Sequence, residues 1–300
     1  MRVVVTGANG LVGSRACALL AAQGHEVVGI GRGARRAQGD FAYSTCELSR
    51  EPEVNAAIAD ARPDAIAHTA SMTEVDACEK DPDAAFASNV AAAANVARAA
   101  SRHGAHLVHV STDYVFDGER GPYDEEAIPN PRGVYALSKY MGELAVRVFV
   151  PGAAIARTAV VFGWPPAGRP NFGAWLVSAL QQGQPVRLFE DQWVSPSLAD
   201  SVAAQVSELA IRKLGGTWNT CGADVVDRVT FGRALCAQFG FDDRLLIPSR
   251  LSEMKLASPR PSRSGLLVDK ARAQLSAAPL PLGEALARFH DAWKTANGVV

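Results

Sequence analysis

The sequence has few cysteines, and their spacing suggests neither a cross-link nor a metal site. No two of the five cysteines among its 300 residues form a C-x-x-C pair. They are Cys17, Cys46, Cys78, Cys221 and Cys236. Such an odd, scattered set argues against a disulfide framework and against zinc ligation. We therefore expect a protein without a metal site in a reducing cytoplasm.

Strong charge and long apolar runs are also missing. The formal net charge of −1 gives no general electrostatic reason to expect nucleic acid or an anionic membrane as a partner. Apolar runs stay far below the roughly 20 residues that a membrane-spanning helix needs. The first apolar run, at residues 3–5, is too short before Gly7 for a signal peptide. With 48% hydrophobic and 20% charged residues, the sequence predicts a compact globular protein.

Short β-branched runs alternate with longer alanine-rich runs through the first half of the sequence. Strands are predicted at residues 3–5, 27–30, 65–68, 106–110 and 154–156, and helices at 11–23, 82–103 and 134–150. This alternation is typical of β-α-β units and of a parallel sheet covered by helices on both faces. Because crossovers in such sheets are right-handed, we predict an α/β fold with a doubly wound parallel sheet, the Rossmann arrangement.

The alternation stops after about Phe162, where Pro165, Pro166, Gly168 and Pro170 predict an irregular connection. Helical patterns follow at residues 172–182, 198–214, 230–240 and 282–294, with fewer clear strands. We therefore predict a Rossmann domain at residues 1–162, to which residues 195–222 return. Residues 163–194 plus 223–300 would form a smaller C-terminal domain, placed to bind a substrate at the strand ends.

A glycine-rich turn, Thr6-Gly7-Ala8-Asn9-Gly10-Leu11-Val12-Gly13, links the first predicted strand to the first predicted helix. Gly7 permits a tight turn, Gly10 lets the backbone approach a pyrophosphate, and Gly13 lets the helix pack closely on the sheet. The helix N-terminus offers free N–H groups to the phosphates. The spacing alone is weak evidence, but its place after the first strand favours a dinucleotide site over a turn without a ligand.

The end of the second predicted strand indicates which dinucleotide binds. That strand ends in Ile30-Gly31-Arg32, and Arg35 and Arg36 follow. An NAD site usually places a carboxylate here for the ribose 2′-OH, whereas guanidinium groups can bind a 2′-phosphate. We expect NADPH, with Arg32 as the principal contact. The alternative is a solvated basic loop.

A second motif, Tyr135-Ala-Leu-Ser-Lys139, lies on the helix predicted after the strand that leads to Ser111-Thr112. Residues at i and i+4 share one face of a helix, so the phenol and the ammonium can reach one site. A close lysine can lower the tyrosine pKa from about 10 by about 1–3 units, towards the range useful for acid–base chemistry. Thr112 would end its strand where ligands bind in such folds, and its hydroxyl can orient a carbonyl. The alternative is a surface Tyr–Lys pair.

Together these motifs resemble the extended short-chain dehydrogenases/reductases. Within that group, the run Val110-Ser111-Thr112-Asp113-Tyr114-Val115-Phe116-Asp117-Gly118 is very similar to the signature of the dTDP-4-dehydrorhamnose reductases. Further similarities extend along most of the chain. They include Val75-Asp76-Ala77-Cys78-Glu79, Asn89-Val90, Asn171-Phe172, Asp191-Gln192 with Pro196, and Arg260-Pro261 with Ser264 and Leu266.

The resemblance implies a set of site residues. Catalysis would fall to Thr112, Tyr135 and Lys139, and Tyr135 and Lys139 would also contact the cofactor. The other NADPH contacts would be Gly7, Asn9, Gly10, Leu11, Val12, Gly13, Arg32, Glu47, Leu48, Ala70 and Ser71. The substrate would meet Asp113, Asn171, Trp193 and Arg260, where the Arg260 guanidinium can pair with a diphosphate.

Three departures from the family pattern bear on the substrate. Leu11-Val12 replaces the usual Gln-Leu, and Val160 stands where the family usually has tryptophan. The family stretch D-Q-x-G-x-P-T reads Asp191-Gln192-Trp193-Val194-Ser195-Pro196-Ser197 here. The first does not touch the chemistry, but the other two fall where a substrate would sit. They put the sugar of the family's usual substrate in question.

The resemblance implies an NADPH-dependent oxidoreductase that reduces a keto group on a nucleotide-activated sugar. Two alternatives stay open: a reductase of a non-sugar carbonyl or imine, and a non-catalytic regulatory subunit like the methionine adenosyltransferase β subunit. We expect a nucleotide sugar as partner, neither nucleic acid nor membrane, and a homodimer as one candidate assembly. The sequence leaves open the base, the sugar and the stereochemistry of reduction.

Overall fold

A computed structural model describes residues 1–165 and 171–298. The first half contains β1 (Arg2–Thr6), α1 (Leu11–Ala22), β2 (Glu26–Gly31), β3 (Ala42–Thr45), α2 (Glu51–Ala61), β4 (Ala65–His68), α3 (Val75–Lys80), α4 (Pro82–Phe86), α5 (Ala92–His103), β5 (His106–Thr112), α6 (Gly133–Phe149) and β6 (Ala154–Thr158). Of the predicted connection around Pro165, residues 166–170 lie outside the described residues.

The second half contains β7 (Val161–Phe162), α7 (Phe172–Gln181), β8 (Val186–Phe189), β9 (Trp193–Val194), β10 (Ser197–Leu198), α8 (Ala199–Ile211), β11 (Gly216–Asn219), β12 (Val226–Asp227), α9 (Arg228–Phe239), β13 (Leu246–Ser249), α10 (Asp269–Gln274) and α11 (Leu282–Asn297). Short 3₁₀ turns lie at Asp113–Val115, Asp243–Leu245 and Leu251–Glu253. No helix among the described residues is both long enough and apolar enough to span a membrane.

The central sheet has seven parallel strands in the order β11-β6-β5-β4-β1-β2-β3. This confirms the predicted doubly wound α/β fold. Chain connections run outwards in both directions from the β1/β4 pair, so the strand order reverses there. In such sheets ligands bind in the crevice outside the carboxyl ends of the strands at this reversal.

Two apolar layers cover the sheet, as the alternation of side chains along each strand requires. Val3 and Val5 of β1 face one layer, which α1 and α8 complete with residues such as Leu20 and Val206. Val4 faces the other layer, formed by α2, α5 and α6. The α8–β11 segment, residues 199–219, therefore adds a helix and an edge strand to this sheet.

The helix predicted at residues 82–103 is not continuous. It consists of α4, a π-helical segment at Ala87–Ala91, and α5. The π segment carries the buried Asn89, whose side chain bonds both backbone groups of Met72 and the hydroxyl of Ser138. Wider turns of this kind are common at functional sites, and here the wider turn accompanies a buried amide that fixes the loop after β4 against α6.

A third apolar cluster joins α7, α9 and α11 to the β8–β13 pair. Phe162, Phe231 and Phe289 are its largest fully buried side chains, and their rings meet edge to face. Such pairs add specific geometry to the area they bury. Most of this cluster lies within the residues assigned from the sequence to a C-terminal domain, but Phe162 and Leu198 come from residues assigned to the Rossmann domain. The domain boundaries themselves stay a prediction.

A buried ion pair fastens α6 to β6. Arg157 donates to both carboxylate oxygens of Glu143, with N–O distances of 3.0 and 2.8 Å, and both side chains are almost wholly buried. The Arg157 guanidinium also lies 5.1 Å from the centre of the Phe116 ring. Because the two charges form an ion pair, removing Glu143 leaves Arg157 without its carboxylate partner in a medium of low polarity.

We expect Glu143→Ala to lower the free energy of unfolding by about 3–5 kcal/mol, because it leaves Arg157 buried and unpaired. A Glu143→Leu/Arg157→Met double variant should lose much less. The measurement is urea unfolding followed by circular dichroism. The control is Glu284→Ala, which breaks the exposed Glu284–Arg288 pair on α11 and should cost about 0.5 kcal/mol. Equal losses for the two single variants would contradict the assignment.

Candidate active site

The glycine loop between β1 and α1 forms a cradle of bare backbone. Gly7 has φ +72°, and a Cβ there would lie 2.7 Å from the backbone N of Ala70. The Gly10 N–H donates to the Gly7 carbonyl at 2.7 Å. Gly10 is the N-cap residue of α1, and no side chain caps this helix by a hydrogen bond. The first N–H groups of α1 are therefore available to a phosphate, as dinucleotide binding requires.

Asn9 ties the glycine loop to the loop after β2. Its amide donates to the carbonyls of Arg32 and Ala34 and to the Tyr43 hydroxyl, and it accepts the N–H of Arg36. These bonds fix the path of the arginine-rich loop beside the phosphate cradle.

The three arginines of that loop have different positions. The Arg35 guanidinium donates to the carbonyls of Ala37, Gly39 and Phe41 and lies over the Phe41 ring, so it holds the loop together. Arg32 and Arg36 are exposed and line a cleft of about 420 Å³. Those two guanidinium groups, rather than all three, are free to meet a 2′-phosphate.

A second cleft of about 800 Å³ shares Asn9, Gly10 and Ser71 with the first, so the two form one groove. Every cofactor residue expected from the sequence lines one cleft or the other: Gly7, Asn9, Gly10, Leu11, Val12, Gly13, Arg32, Glu47, Leu48, Ala70, Ser71, Tyr135 and Lys139.

Thr112, Tyr135 and Lys139 also line the larger cleft. Thr112 ends β5, whereas Tyr135 and Lys139 lie one helical turn apart on the buried face of α6. The Lys139 ammonium donates to the Val110 carbonyl at 2.7 Å, which ties α6 to β5. Tyr114 packs against Tyr135 edge to face, with 5.5 Å between ring centres.

Burial changes the acidity of both α6 groups. It raises the pKa of Tyr135 above its ordinary value, an effect that a hydrogen bond with Thr112 opposes. It lowers the pKa of Lys139 to about 8, against the attraction of Glu143. The expectation that Lys139 brings the tyrosine pKa down is therefore wrong for this structure, because loss of hydration outweighs other effects on the phenol. Tyr135 is protonated at neutral pH, the state that a proton donor needs.

Asp113 follows Thr112 and is almost completely buried. Its carboxylate accepts hydrogen bonds from Ser264 at 2.5 Å and from Thr112 at 3.1 Å. Burial raises the Asp113 pKa to about 6, although the two hydroxyl groups and the charge of Arg228 oppose that rise. Asp113 thus places a carboxyl group in hydrogen-bond contact with Thr112.

The four expected substrate residues do not converge. Asp113 and Asn171 line the larger cleft, and Asn171 uses its amide to cap α7 and to bond the backbone of Gly163. Trp193 and Arg260 line neither cleft. Trp193 lies on the short strand β9 with an exposed side chain, and Arg260 forms a 2.8 Å ion pair with Asp76. As substrate contacts, both stay predictions.

Sequence reasoning missed Arg228 and Phe172, which line the larger cleft together. The predicted helix began at Thr230, whereas α9 begins at Arg228 because Asp227 caps it by accepting the N–H groups of Val229 and Thr230. Reading Asp227 as a helix cap was the available signal, since aspartate is a preferred capping residue.

The raised pKa of Asp113 predicts a pH dependence of stability. Because its pKa is higher in the folded protein than in the unfolded chain, folding favours the protonated form. Asp113 therefore costs stability as pH rises from about 4 to about 6. Asp113→Asn should remove this loss. The free energy of unfolding of the variant minus that of the wild type should therefore increase by up to about 3 kcal/mol as pH rises over this range.

Urea unfolding of both proteins at constant ionic strength from pH 4 to pH 7 measures this difference. Parallel curves for the two proteins would show that Asp113 is not protonated more readily in the folded state.

Comparison with known proteins places this site in a family. The family described as the RmlD substrate binding domain matches residues 1–294. A probable low-salt glycan biosynthesis reductase of Haloferax volcanii is 33% identical over 296 residues, which cover 98% of each chain. A dTDP-4-dehydrorhamnose reductase of Mycobacterium tuberculosis is 32% identical over 271 residues, which cover 88% of this chain and 84% of that protein.

A solved structure of dTDP-4-dehydrorhamnose reductase from Bacillus anthracis, in complex with NADP, has a TM-score of 0.83 and 27% identity. The alignment covers 97% of this chain and 98% of that one. Since a family match spans almost the whole sequence, as does the structural similarity, the chain belongs to the RmlD substrate binding domain family.

Proposed function

We propose that this protein is an NADPH-dependent reductase of a keto group on a nucleotide-activated sugar. The observation that carries the proposal is the convergence of Thr112, Tyr135 and Lys139 on the groove that also contains the glycine loop. The names of two relatives support the same activity class, because one is a probable low-salt glycan biosynthesis reductase and the other a dTDP-4-dehydrorhamnose reductase.

The residues of the groove fit a phosphorylated dinucleotide. The loop at Gly7, Gly10 and Gly13 has no room for additional side-chain atoms at Gly7 and Gly13. The uncapped N-terminus of α1 suits a pyrophosphate, and Arg32 suits a 2′-phosphate at a strand end without a carboxylate. When bound, NADPH supplies the hydride that reduces the carbonyl carbon.

Each residue of the cluster has a defined part in the reduction. Tyr135 donates its phenolic proton to the carbonyl oxygen as the carbon is reduced, which completes a CH–OH group. Thr112 orients the carbonyl oxygen through its hydroxyl. Lys139, protonated near neutral pH, holds the nicotinamide ribose and supplies positive charge beside the phenol as its proton leaves.

The substrate that this proposal favours is most like dTDP-4-dehydrorhamnose, the substrate named in the relatives. The chain differs from the family pattern at Val160, which lines the larger cleft with a φ of +41°. Positive φ is strained for a β-branched residue, and such strain is often found at ligand sites. A smaller side chain here leaves room for a sugar of different shape.

The activity is tested by NADPH oxidation with a panel of keto-sugar nucleotides, beginning with dTDP-4-dehydrorhamnose. Wild type should oxidise NADPH with at least one of them, and Tyr135→Phe should lower turnover by roughly 10²–10⁴-fold, because it lacks the proton donor. Cofactor affinity should stay nearly unchanged, because the ring still packs.

Tyr140→Phe is the matched control. Tyr140 lies on the same helix but packs in a different cluster, beside Val115 and Phe116, so its hydroxyl should not affect turnover. Activity with none of the sugar nucleotides would favour a non-sugar carbonyl or imine as substrate. Near-normal turnover by Tyr135→Phe would remove this tyrosine from the mechanism.

The cofactor preference gives a separate prediction. Arg32→Ala should weaken NADPH binding by about 1.5–3 kcal/mol, the range of a hydrogen bond to a charged group. NADH binding should change little, because NADH lacks the 2′-phosphate. Fluorescence titration of both cofactors measures the effect, with Arg187→Ala, an exposed arginine on β8, as the control. A wild type that binds NADH as tightly as NADPH would refute the preference.

A further inference from the structure

The larger cleft contains a cation that the proposed mechanism does not use. Among its described lining residues, the positive charges are Arg36, Lys139 and Arg228. Arg36 lies at the cofactor end and Lys139 beside Val110. Arg228, the first residue of α9, is the described cation on the side formed by residues after Phe162.

The contacts of Arg228 fix its orientation without neutralising it. Its Nε donates to Oε1 of Gln192 at 2.9 Å, and its guanidinium lies 4.6 Å from the centre of the Phe172 ring. Its Nη1 is buried and has no hydrogen-bond partner. Within the described chain, no carboxylate forms an ion pair with it. Asp113 acts on it through its charge, but the Asp113 oxygens are engaged by Ser264 and Thr112.

Helix stability does not explain an arginine at this position. The N-terminus of a helix carries partial positive charge, so a cation in the first turn of α9 is unfavourable. Asp227 caps α9, but its carboxylate is bonded to Val229 N–H, Thr230 N–H and the Thr230 hydroxyl. An oriented guanidinium that has no ion-pair partner among the described residues and works against its own helix is typical of a ligand contact rather than of a structural residue.

The neighbourhood of Arg228 indicates the kind of ligand. The Phe172 ring beneath it belongs to the first turn of α7, and Asn171 and Phe172 present the N-terminus of that helix to the cleft. Backbone N–H groups and a guanidinium on the same side of a cleft suit oxygen anions, phosphates above all. Arg260, the alternative cation, is already paired with Asp76.

We propose that Arg228 binds the diphosphate that joins nucleoside and sugar in the substrate. This inference rests on the proposed function and adds to it a residue that selects diphosphate-linked substrates. The planar fork of the guanidinium, held by Gln192 and Phe172, can bond two phosphate oxygens at once.

The test is isothermal titration of dTDP, UDP and GDP in the presence of saturating NADP⁺. Wild type should bind at least one of them. Arg228→Gln should weaken that binding by about 10- to 100-fold, the effect of losing a charged bidentate contact. Affinity for NADP⁺ should be unchanged. Arg233→Gln is the matched control, because Arg233 is exposed on the same helix, and it should bind the nucleotide as wild type does.

A second variant separates the loss of the ligand contact from a loss of folding. Arg228→Lys keeps the charge but not the planar fork, so its affinity should lie between those of wild type and Arg228→Gln. Thermal unfolding of all variants shows whether they fold. Neither Arg228 variant should have a lower midpoint temperature of unfolding than wild type, because the arginine does not stabilise α9.

The outcomes separate this inference from the proposed function. If wild type binds one of the nucleoside diphosphates and Arg228→Gln binds it equally well, the function stands and the role of Arg228 is refuted. If Arg228→Gln weakens the binding of UDP-glucuronate but not that of UDP, Arg228 binds a sugar carboxylate instead and the proposal is overturned. If wild type binds none of the three, the nucleotide-sugar function fails, and this inference fails with it.

Discussion

Buried charge on α6 holds the face of that helix that carries Tyr135 and Lys139 against the sheet, and the geometry of the candidate site depends on it. Lys139 reaches the Val110 carbonyl of β5, and Glu143, one turn later, pairs with Arg157 of β6. Both contacts are short and shielded from water, where charged hydrogen bonds are strong and costly to break. They set the rotation of α6, and with it the position of Tyr135 relative to Thr112 at the end of β5.

The two ends of the groove use different chemistry. The cofactor end combines bare backbone, namely glycines that admit no side chain and the first N–H groups of α1, with the exposed side chains of Arg32 and Arg36. The other end presents side chains, with Asp113 held by Ser264 and with Arg228 held by Gln192 and Phe172. Backbone N–H groups suit a pyrophosphate, whereas the charge and shape of side chains can discriminate between ligands.

Several elements were predictable because each depends on local pattern. The β-branched runs gave five strands of the central sheet within one or two residues, and the parallel arrangement follows from their alternation with helices. The edge strand β3, whose sequence Ala-Tyr-Ser-Thr lacks alternation, gave no such signal. The π segment at Ala87–Ala91 was also hidden, because the contacts of Asn89 with Met72 and Ser138 join residues far apart in the sequence.

For the site, the sequence by itself determined the glycine loop, the arginine at the end of β2, and Tyr135 with Lys139, because each depends on spacing within one turn or one helix. Only the tertiary structure decided which further charges face the groove. It paired Arg260 with Asp76, turned Trp193 outwards, and placed Arg228 over Phe172, which is 56 positions away in the sequence. Those outcomes depend on which side chains, distant in sequence, lie close together in the fold. The spacing of residues along the sequence does not show this.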